Sequence, residues 1–338
     1  MMKNLLVEPY KYWIKASLAA CVITGRPWQR PILIISTRRS GSTLLLELLY
    51  TQDGMTYSDQ PLDAYHYSPT HDKLPQAYLS QFMHPTQAQE QQLTHFFSAL
   101  FAGRRQRNAP WNWFHPHHRW VVNRLVVKEV NSHSLIDWFA AHFAVDIIFL
   151  VRHPIANALS LVERRWGYLA EAFLQNDAFC AAHLTAAQKN ECLSVLARGT
   201  ALQKYALEWG LANRYPLAVC RERTWLTLTY EELLMRPQAI VALLAERFAL
   251  SAPERMVQQL RQPSKNSIGA SRALIQYKQP QHLLARWTEQ VTPAEADEVM
   301  DLLTGVLGIS AYRADSPYPV ASLCHFGALD STTEEKRS

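Results

Sequence analysis

Pro31-Ile-Leu-Ile-Ile-Ser-Thr-Arg-Arg-Ser-Gly-Ser-Thr-Leu-Leu-Leu-Glu-Leu-Leu49 passes from a short aliphatic run, through a basic hydroxyl-rich turn, into a leucine-rich segment. The aliphatic residues at 32–35 are too few for a helix and suit a strand covered on both faces. Arg38, Arg39, Ser40, Gly41, Ser42 and Thr43 then bring two cations, three hydroxyls and a glycine to the start of a helix. Free N–H groups and the positive dipole end favour an anion there, and Gly41 lets the backbone approach it closely. An ordinary turn with a solvated arginine pair is the plainer alternative. It leaves two adjacent guanidinium groups repelling one another with many donors aimed at one place. The triphosphate loop Gly-x-x-x-x-Gly-Lys-Ser/Thr is absent, since Ser36 and Ser42 stand where its first glycine and its lysine belong, which argues against a standard ATPase or GTPase.

Outward from this stretch, strand signals recur at 55–57, 125–130, 146–151 and 225–229, with helical segments between them. Asn131 or Ser132 caps a helix over 134–143, Pro154 opens a helix reaching 166, and Pro216 ends a helical region that begins near 168. This alternation predicts an α/β fold of three layers, a central mostly parallel sheet flanked by helices with right-handed crossovers. Residues 1–30 read as an N-terminal helical segment, 31–315 as one domain, and 327–338 as a disordered tail. An aromatic-rich insert at 61–120 holds one amphipathic helix over 87–100, with Leu93, Phe96, Phe97 and Leu100 on one face, and a basic stop at 103–107. Two further helices are expected at 253–260 and 293–307.

A hydrophobic share of 48% with 19% charged residues is ordinary for a globular chain, and 34 basic against 29 acidic residues gives a net charge of +5. That excess suits local anion sites and argues against a nucleic-acid surface, which needs a concentrated basic face. The five cysteines are odd in number and scattered, so neither a disulfide framework nor a zinc site is suggested and a cytoplasmic location fits. His115, His117 and His118 invite a metal, but Pro116 lies among them and no carboxylate or cysteine is near, so no metal is expected. The apolar run at 16–24 is too short to span a bilayer; Tyr10, Trp13 and Trp28 leave membrane-surface contact open.

In a parallel sheet the strand C-termini share the ligand-binding edge. To that edge come residues 38–43 of the loop, Lys128 and Glu129 from the next long strand, Arg152 from the strand at 146–151, and Tyr230. Ser160, eight residues after Arg152, lies two turns into the following helix, so both are placed to meet a second phosphate.

The chain thereby resembles the sulfotransferases that use 3′-phosphoadenosine 5′-phosphosulfate. Thr37-Arg-Arg-Ser-Gly-Ser-Thr-Leu-Leu45 is similar to that family's 5′-phosphosulfate loop, and Ile148-Phe-Leu-Val-Arg-His-Pro154 with Ser160 to its 3′-phosphate motif. Leu228-Thr-Tyr-Glu-Glu-Leu-Leu-Met-Arg-Pro237 resembles its Tyr-Glu-Asp-Leu…Pro segment, and His282-Leu-Leu-Ala-Arg-Trp287 its tryptophan-containing block. The match spans about 32–309; its first two motifs are specific in combination and the last two weak alone. The resemblance implies a P-loop-like sulfotransferase fold, 3′-phosphoadenosine 5′-phosphosulfate as donor, and transfer to a hydroxyl acceptor of carbohydrate or glycolipid type.

By the same resemblance Arg39, Ser40, Gly41, Ser42 and Thr43 hold the 5′-phosphosulfate, with Arg38 beside them. Arg152 and Ser160 hold the 3′-phosphate, and Arg39 with Lys128 stabilises the charge that moves onto the leaving phosphate. The general base is where this chain departs from its relatives. Carbohydrate-type members place a Glu-Pro pair after the loop, whereas this chain has Asp59-Gln60-Pro61, and Gln60 accepts no proton. Aryl and steroid members place a histidine two residues after the strand lysine, which here is Val130. Asp59 therefore ranks first as base and Glu129 second, with His133 and Asp63 behind. Lys265 and Arg272 are the candidates for further 3′-phosphate contacts. A non-catalytic nucleotide-binding scaffold and a kinase-like phosphotransferase are the rival readings, the second disfavoured by the missing Gly-Lys-Ser/Thr.

Overall fold

A computed structural model of the chain describes residues 13, 17, 21–62, 85–104, 119–130, 132–264 and 279–326. The strands are β1 (Ile23–Thr24), β2 (Ile32–Ser36), β3 (Met55–Asp59), β4 (Val121–Val122), β5 (Arg124–Glu129), β6 (Asp146–Val151), β7 (Leu226–Thr229) and β8 (His325–Phe326). Six of them form one sheet in the order β3-β5-β2-β6-β7-β8, parallel throughout except for the antiparallel β7–β8 pair. β1 and β4 pair separately. The described helices in chain order are α1 (Ser42–Tyr50), α2 (Gln87–Phe101), α3 (Ile136–His142), α4 (Pro154–Arg164), α5 (Ala170–Leu174), α6 (Asp177–His183), α7 (Ala186–Arg198), α8 (Ala201–Val219), α9 (Tyr230–Met235), α10 (Pro237–Phe248), α11 (Pro253–Gln259), α12 (Pro280–Ala285) and α13 (Pro293–Asp301).

Alternation along the strands sorts the core into two halves. Ile32, Ile34, Val126, Ile148 and Leu150 face a cluster with α1, α9 and α10, whereas Leu33, Ile35, Val127, Ile147 and Phe149 face one with α2, α3, α4 and α8. The sheet is thus the middle of three layers, as the sequence pattern predicts. On α2, Leu93, Phe96, Phe97 and Leu100 are all buried.

Helix ends differ from expectation in two places. Pro216 does not stop α8, which continues to Val219. Proline removes one N–H donor, and here it falls within the last turn of a helix whose Tyr205, Trp209, Leu211 and Ala212 are buried in the core, so packing carries the helix past it. At the other end of the chain, the expected helix over 293–307 is α-helical only to Asp301 and finishes as a π turn over Leu302–Val306. The N-terminal segment before residue 13, most of the insert (63–84 and 105–118, with the three histidines) and the tail at 327–338 lie outside the described residues. Trp28 is turned inward, its indole N–H donating to the Phe101 carbonyl at 2.7 Å. No helix among the described residues is long and apolar enough to cross a membrane.

β2 leads to β3 on one side of the sheet and β6 leads to β7 on the other. The crevice where successive connections diverge, between the C-terminal ends of β2 and β6, is where ligands bind in open parallel sheets. The loop at 37–41 and Arg152 both sit there.

Candidate functional site

The loop after β2 is a tight turn: the Ser40 N–H donates to the Thr37 carbonyl at 3.3 Å and the two hydroxyls lie 2.6 Å apart. Arg39 takes a left-handed conformation, φ 64°, and this separates the adjacent arginines. Arg38 is buried. Its Nε and Nη2 donate to Glu208 Oε1 at 3.1 and 2.6 Å, and Nη2 also reaches the Gly167 carbonyl at 3.1 Å. The other Glu208 oxygen accepts from the Leu169 N–H at 2.8 Å, and burial pushes this carboxyl up while Arg38 draws it down. Arg39 instead lies along α4, where its Nε donates to Ser160 Oγ at 2.8 Å. Asn157, on the same helix, fixes the loop from below by donating to the Arg38 carbonyl at 2.7 Å and to Ser40 Oγ at 3.2 Å.

Gly41 caps α1 with φ 90° and no side-chain hydrogen bond, so no side-chain cap competes for the N–H groups of the first turn. A Cβ at Gly41 would lie 2.3 Å from Cδ2 of Tyr230, so the tyrosine ring closes one wall of the cradle. The Arg152 guanidinium lies over the same ring at 4.8 Å, and its Nη1 donates to the Arg39 carbonyl at 3.1 Å. Its Nε is buried without a hydrogen-bond partner. Burial, then the neighbouring Arg152 and Arg164, push the Arg39 guanidinium down to about 10.

Lys128 bridges the other side of the loop. Its Nζ is 2.7 Å from Asp59 Oδ1 and donates to Thr43 Oγ1 at 3.3 Å, which places Asp59 one side chain away from the start of α1. Glu129, the next residue of β5, points to the opposite face of the sheet by strand alternation and accepts from the Leu62 N–H at 2.9 Å. Gln60 sits in the left-handed region, φ 54°, and its N–H bonds the Lys128 carbonyl at 2.7 Å, holding Asp59 and Lys128 together. His133 is buried against Phe149, and desolvation pushes its imidazole down to about 3, so it stays neutral. Asp63, Lys265 and Arg272 lie outside the described residues.

The structure thus gathers Arg39, Ser40, Gly41, Ser42, Thr43, Arg152, Ser160 and Tyr230 around one crevice, adds Lys128 and Asp59 at its edge, and leaves Arg38, Glu129 and His133 turned elsewhere. Sequence reasoning missed Asn157, Glu208 and Glu231. Asn157 and Glu208 are polar side chains interrupting apolar helical faces, which was the available signal, whereas Glu231 opens α9 beside Glu232 and carries no such signal. Glu231 accepts from the His153 N–H at 2.9 Å and from the Tyr312 hydroxyl at 3.0 Å, and burial pushes its carboxyl up to about 7. With His153 stacked on Trp287 at 4.6 Å, it ties the turn after Arg152 to the C-terminal region.

Solved structures similar to the chain include sulfotransferases. The sulfotransferase domain of the Synechococcus olefin synthase is 17% identical over 82% of this chain and 96% of its own, with a TM-score of 0.43. The sulfotransferase domain from the curacin biosynthetic pathway is 17% identical over 82% and 97%, with a TM-score of 0.45. Mouse sulfotransferase SULT7A1, complexed with PAP, is 12% identical over 88% and 90%, with a TM-score of 0.43. No family model and no curated protein matches the chain.

Proposed function

We propose that the chain is a sulfotransferase that passes the sulfuryl group of 3′-phosphoadenosine 5′-phosphosulfate to an acceptor hydroxyl, of carbohydrate or glycolipid type by its motif style, in the cytoplasm. The observation that carries this reading is the meeting of Arg39, Arg152, Ser160 and the start of α1 in one crevice. The residues fit such a donor: Gly41 leaves a cradle that a Cβ would fill, and the buried Arg152 Nε awaits an acceptor.

When bound, the donor supplies the sulfuryl group and a phosphate leaving group. Asp59 takes the proton of the acceptor hydroxyl, and Lys128 holds that carboxylate at the loop's edge. Arg39 and the first N–H groups of α1 meet the charge that builds as the bond to the leaving phosphate breaks. Tyr230 walls the cradle and keeps Arg152 aimed at the donor's other end.

The Asp59–Lys128 bridge also supports a second reading, a nucleotide-binding scaffold, because an ion-paired carboxylate is a weaker base. Calorimetry with 3′-phosphoadenosine 5′-phosphate and with ATP tests both. The sulfotransferase reading expects tight binding of the first and weak binding of ATP. Equal affinities would reject it, and selective binding without turnover over a panel of hydroxyl acceptors would leave the scaffold.

A further inference from the structure

Among the described residues four other than glycine have positive φ, and two of them, Arg165 and Ala249, follow the ends of α4 and α10, where a left-handed residue is usual. Gln60 and Arg39 are the other two, and both lie at the crevice. A left-handed backbone is unfavourable for a residue with a Cβ and persists where its surroundings hold it. At Arg39 the holding side chain is Asn157. Its Nδ2 donates to the Arg38 carbonyl at 2.7 Å and to Ser40 Oγ at 3.2 Å, one contact on each side of Arg39. The carbonyl can only accept, so the amide cannot be turned over without setting two oxygens against each other. That orientation leaves Asn157 Oδ1 buried without a hydrogen-bond partner, on a helix where Pro154, Ala158 and Leu161 are buried around it. A side chain that keeps an unpaired buried oxygen while placing two donors on a loop serves the loop more than the helix.

We infer that Asn157 is a positioning residue for sulfuryl transfer: by gripping the loop on both sides of Arg39 it keeps that residue left-handed, with its guanidinium along α4 and away from the Arg38–Glu208 pair. The inference rests on the sulfotransferase reading above and adds a side chain that the motif residues do not include.

The test is a double-mutant cycle on the full chain, with Asn157→Ala, Arg39→Ala and the two combined, read both by turnover and by calorimetric affinity for 3′-phosphoadenosine 5′-phosphate. Asn157→Ala alone should lower turnover by about tenfold to a hundredfold, the effect of misplacing a group at the reacting centre, and should weaken the bisphosphate. In the Arg39→Ala background the same substitution should change either readout by no more than about twofold, because the side chain it positions is gone. A residue that only supports the fold would cost the same in both backgrounds. Equal losses, or wild-type turnover in Asn157→Ala, would therefore overturn the role of Asn157 and leave the sulfotransferase reading standing. Asn157→Leu, which keeps the bulk without the donors, takes the place of the alanine variant if that one does not fold; if neither folds, Asn157 serves the fold alone and the inference is overturned. Wild type that transfers no sulfuryl group would instead refute the sulfotransferase reading, and this inference with it.

Discussion

Arg38 and Arg39 are identical in chemistry and adjacent in the chain, yet the left-handed backbone at Arg39 gives them different surroundings. Arg39→Ala should leave the fold intact and cut sulfuryl transfer by about 10² to 10³, the usual effect of removing one group that stabilises transition-state charge. Steady-state turnover alongside a thermal melt checks this. At Gly41 no side chain is tolerated: Gly41→Ala combines a strained φ of 90° with a Cβ 2.3 Å from the Tyr230 ring. It should abolish binding of 3′-phosphoadenosine 5′-phosphate in calorimetry, because the ring must leave the cradle wall. Asp59→Asn should lower turnover at saturating acceptor by about 10² or more while donor affinity holds. Unchanged turnover would remove Asp59 as the base. The sequence made the loop and its glycine legible, since a basic hydroxyl-rich turn between an apolar strand and a helix has few other uses. It could not separate the two arginines, because their divergence depends on one backbone angle and on Glu208, which lies 170 residues away.

Elements position the site by pairing groups from distant strands and helices. The Arg38–Glu208 bridge ties the loop after β2 to α8, and both partners are more than nine-tenths buried. Replacing Glu208 by Gln leaves Arg38 charged and buried, a change that typically costs about 3 to 5 kcal/mol. A lower urea midpoint together with weaker donor binding is expected, in contrast to Arg39→Ala, which should leave the urea midpoint unchanged. A Glu208→Gln variant as stable as wild type would show the bridge to be dispensable. The sheet's parallel character follows from apolar runs such as residues 147–151, which have no polar face to expose, whereas the strand order is set by the long-range packing of the structure. Strand alternation then decides what composition alone leaves open: Lys128 and Glu129 are neighbours in sequence, but only Lys128 lies on the face of α1 and the loop. The extent of α8 was not legible, because the proline rule is local whereas the packing that overrides it comes from the whole core.

Across the whole molecule, buried titratable groups make stability depend on pH. His133 has its pKa pushed from an ordinary 6.5 to about 3 in the folded chain. The unfolded state therefore binds a proton below about pH 6.5 that the folded state refuses, and stability falls as pH drops from there toward the folded value, by about 1.4 kcal/mol per pH unit for this one group. His153 acts in the same sense. Glu231, raised to about 7, acts in the opposite sense: its contribution is full below the ordinary carboxyl value and is lost as pH rises through 7. Urea titrations of wild type and His133→Leu at pH 6.5 and 5.0 isolate the histidine. Wild type should lose about 2 kcal/mol more than the variant over that interval, and equal losses would mean that His133 protonates in place. None of this was visible in the sequence, where His133 is one of 13 histidines. The reading of the chain as a sulfotransferase rests most directly on transfer itself. With sulfur-labelled 3′-phosphoadenosine 5′-phosphosulfate and an extract rich in hydroxyl acceptors, wild type should release 3′-phosphoadenosine 5′-phosphate in step with labelled product, and Arg39→Ala should yield at least about a hundredfold less of both. Failure of wild type to move label to any acceptor, or equal transfer by the Arg39→Ala variant, would contradict it.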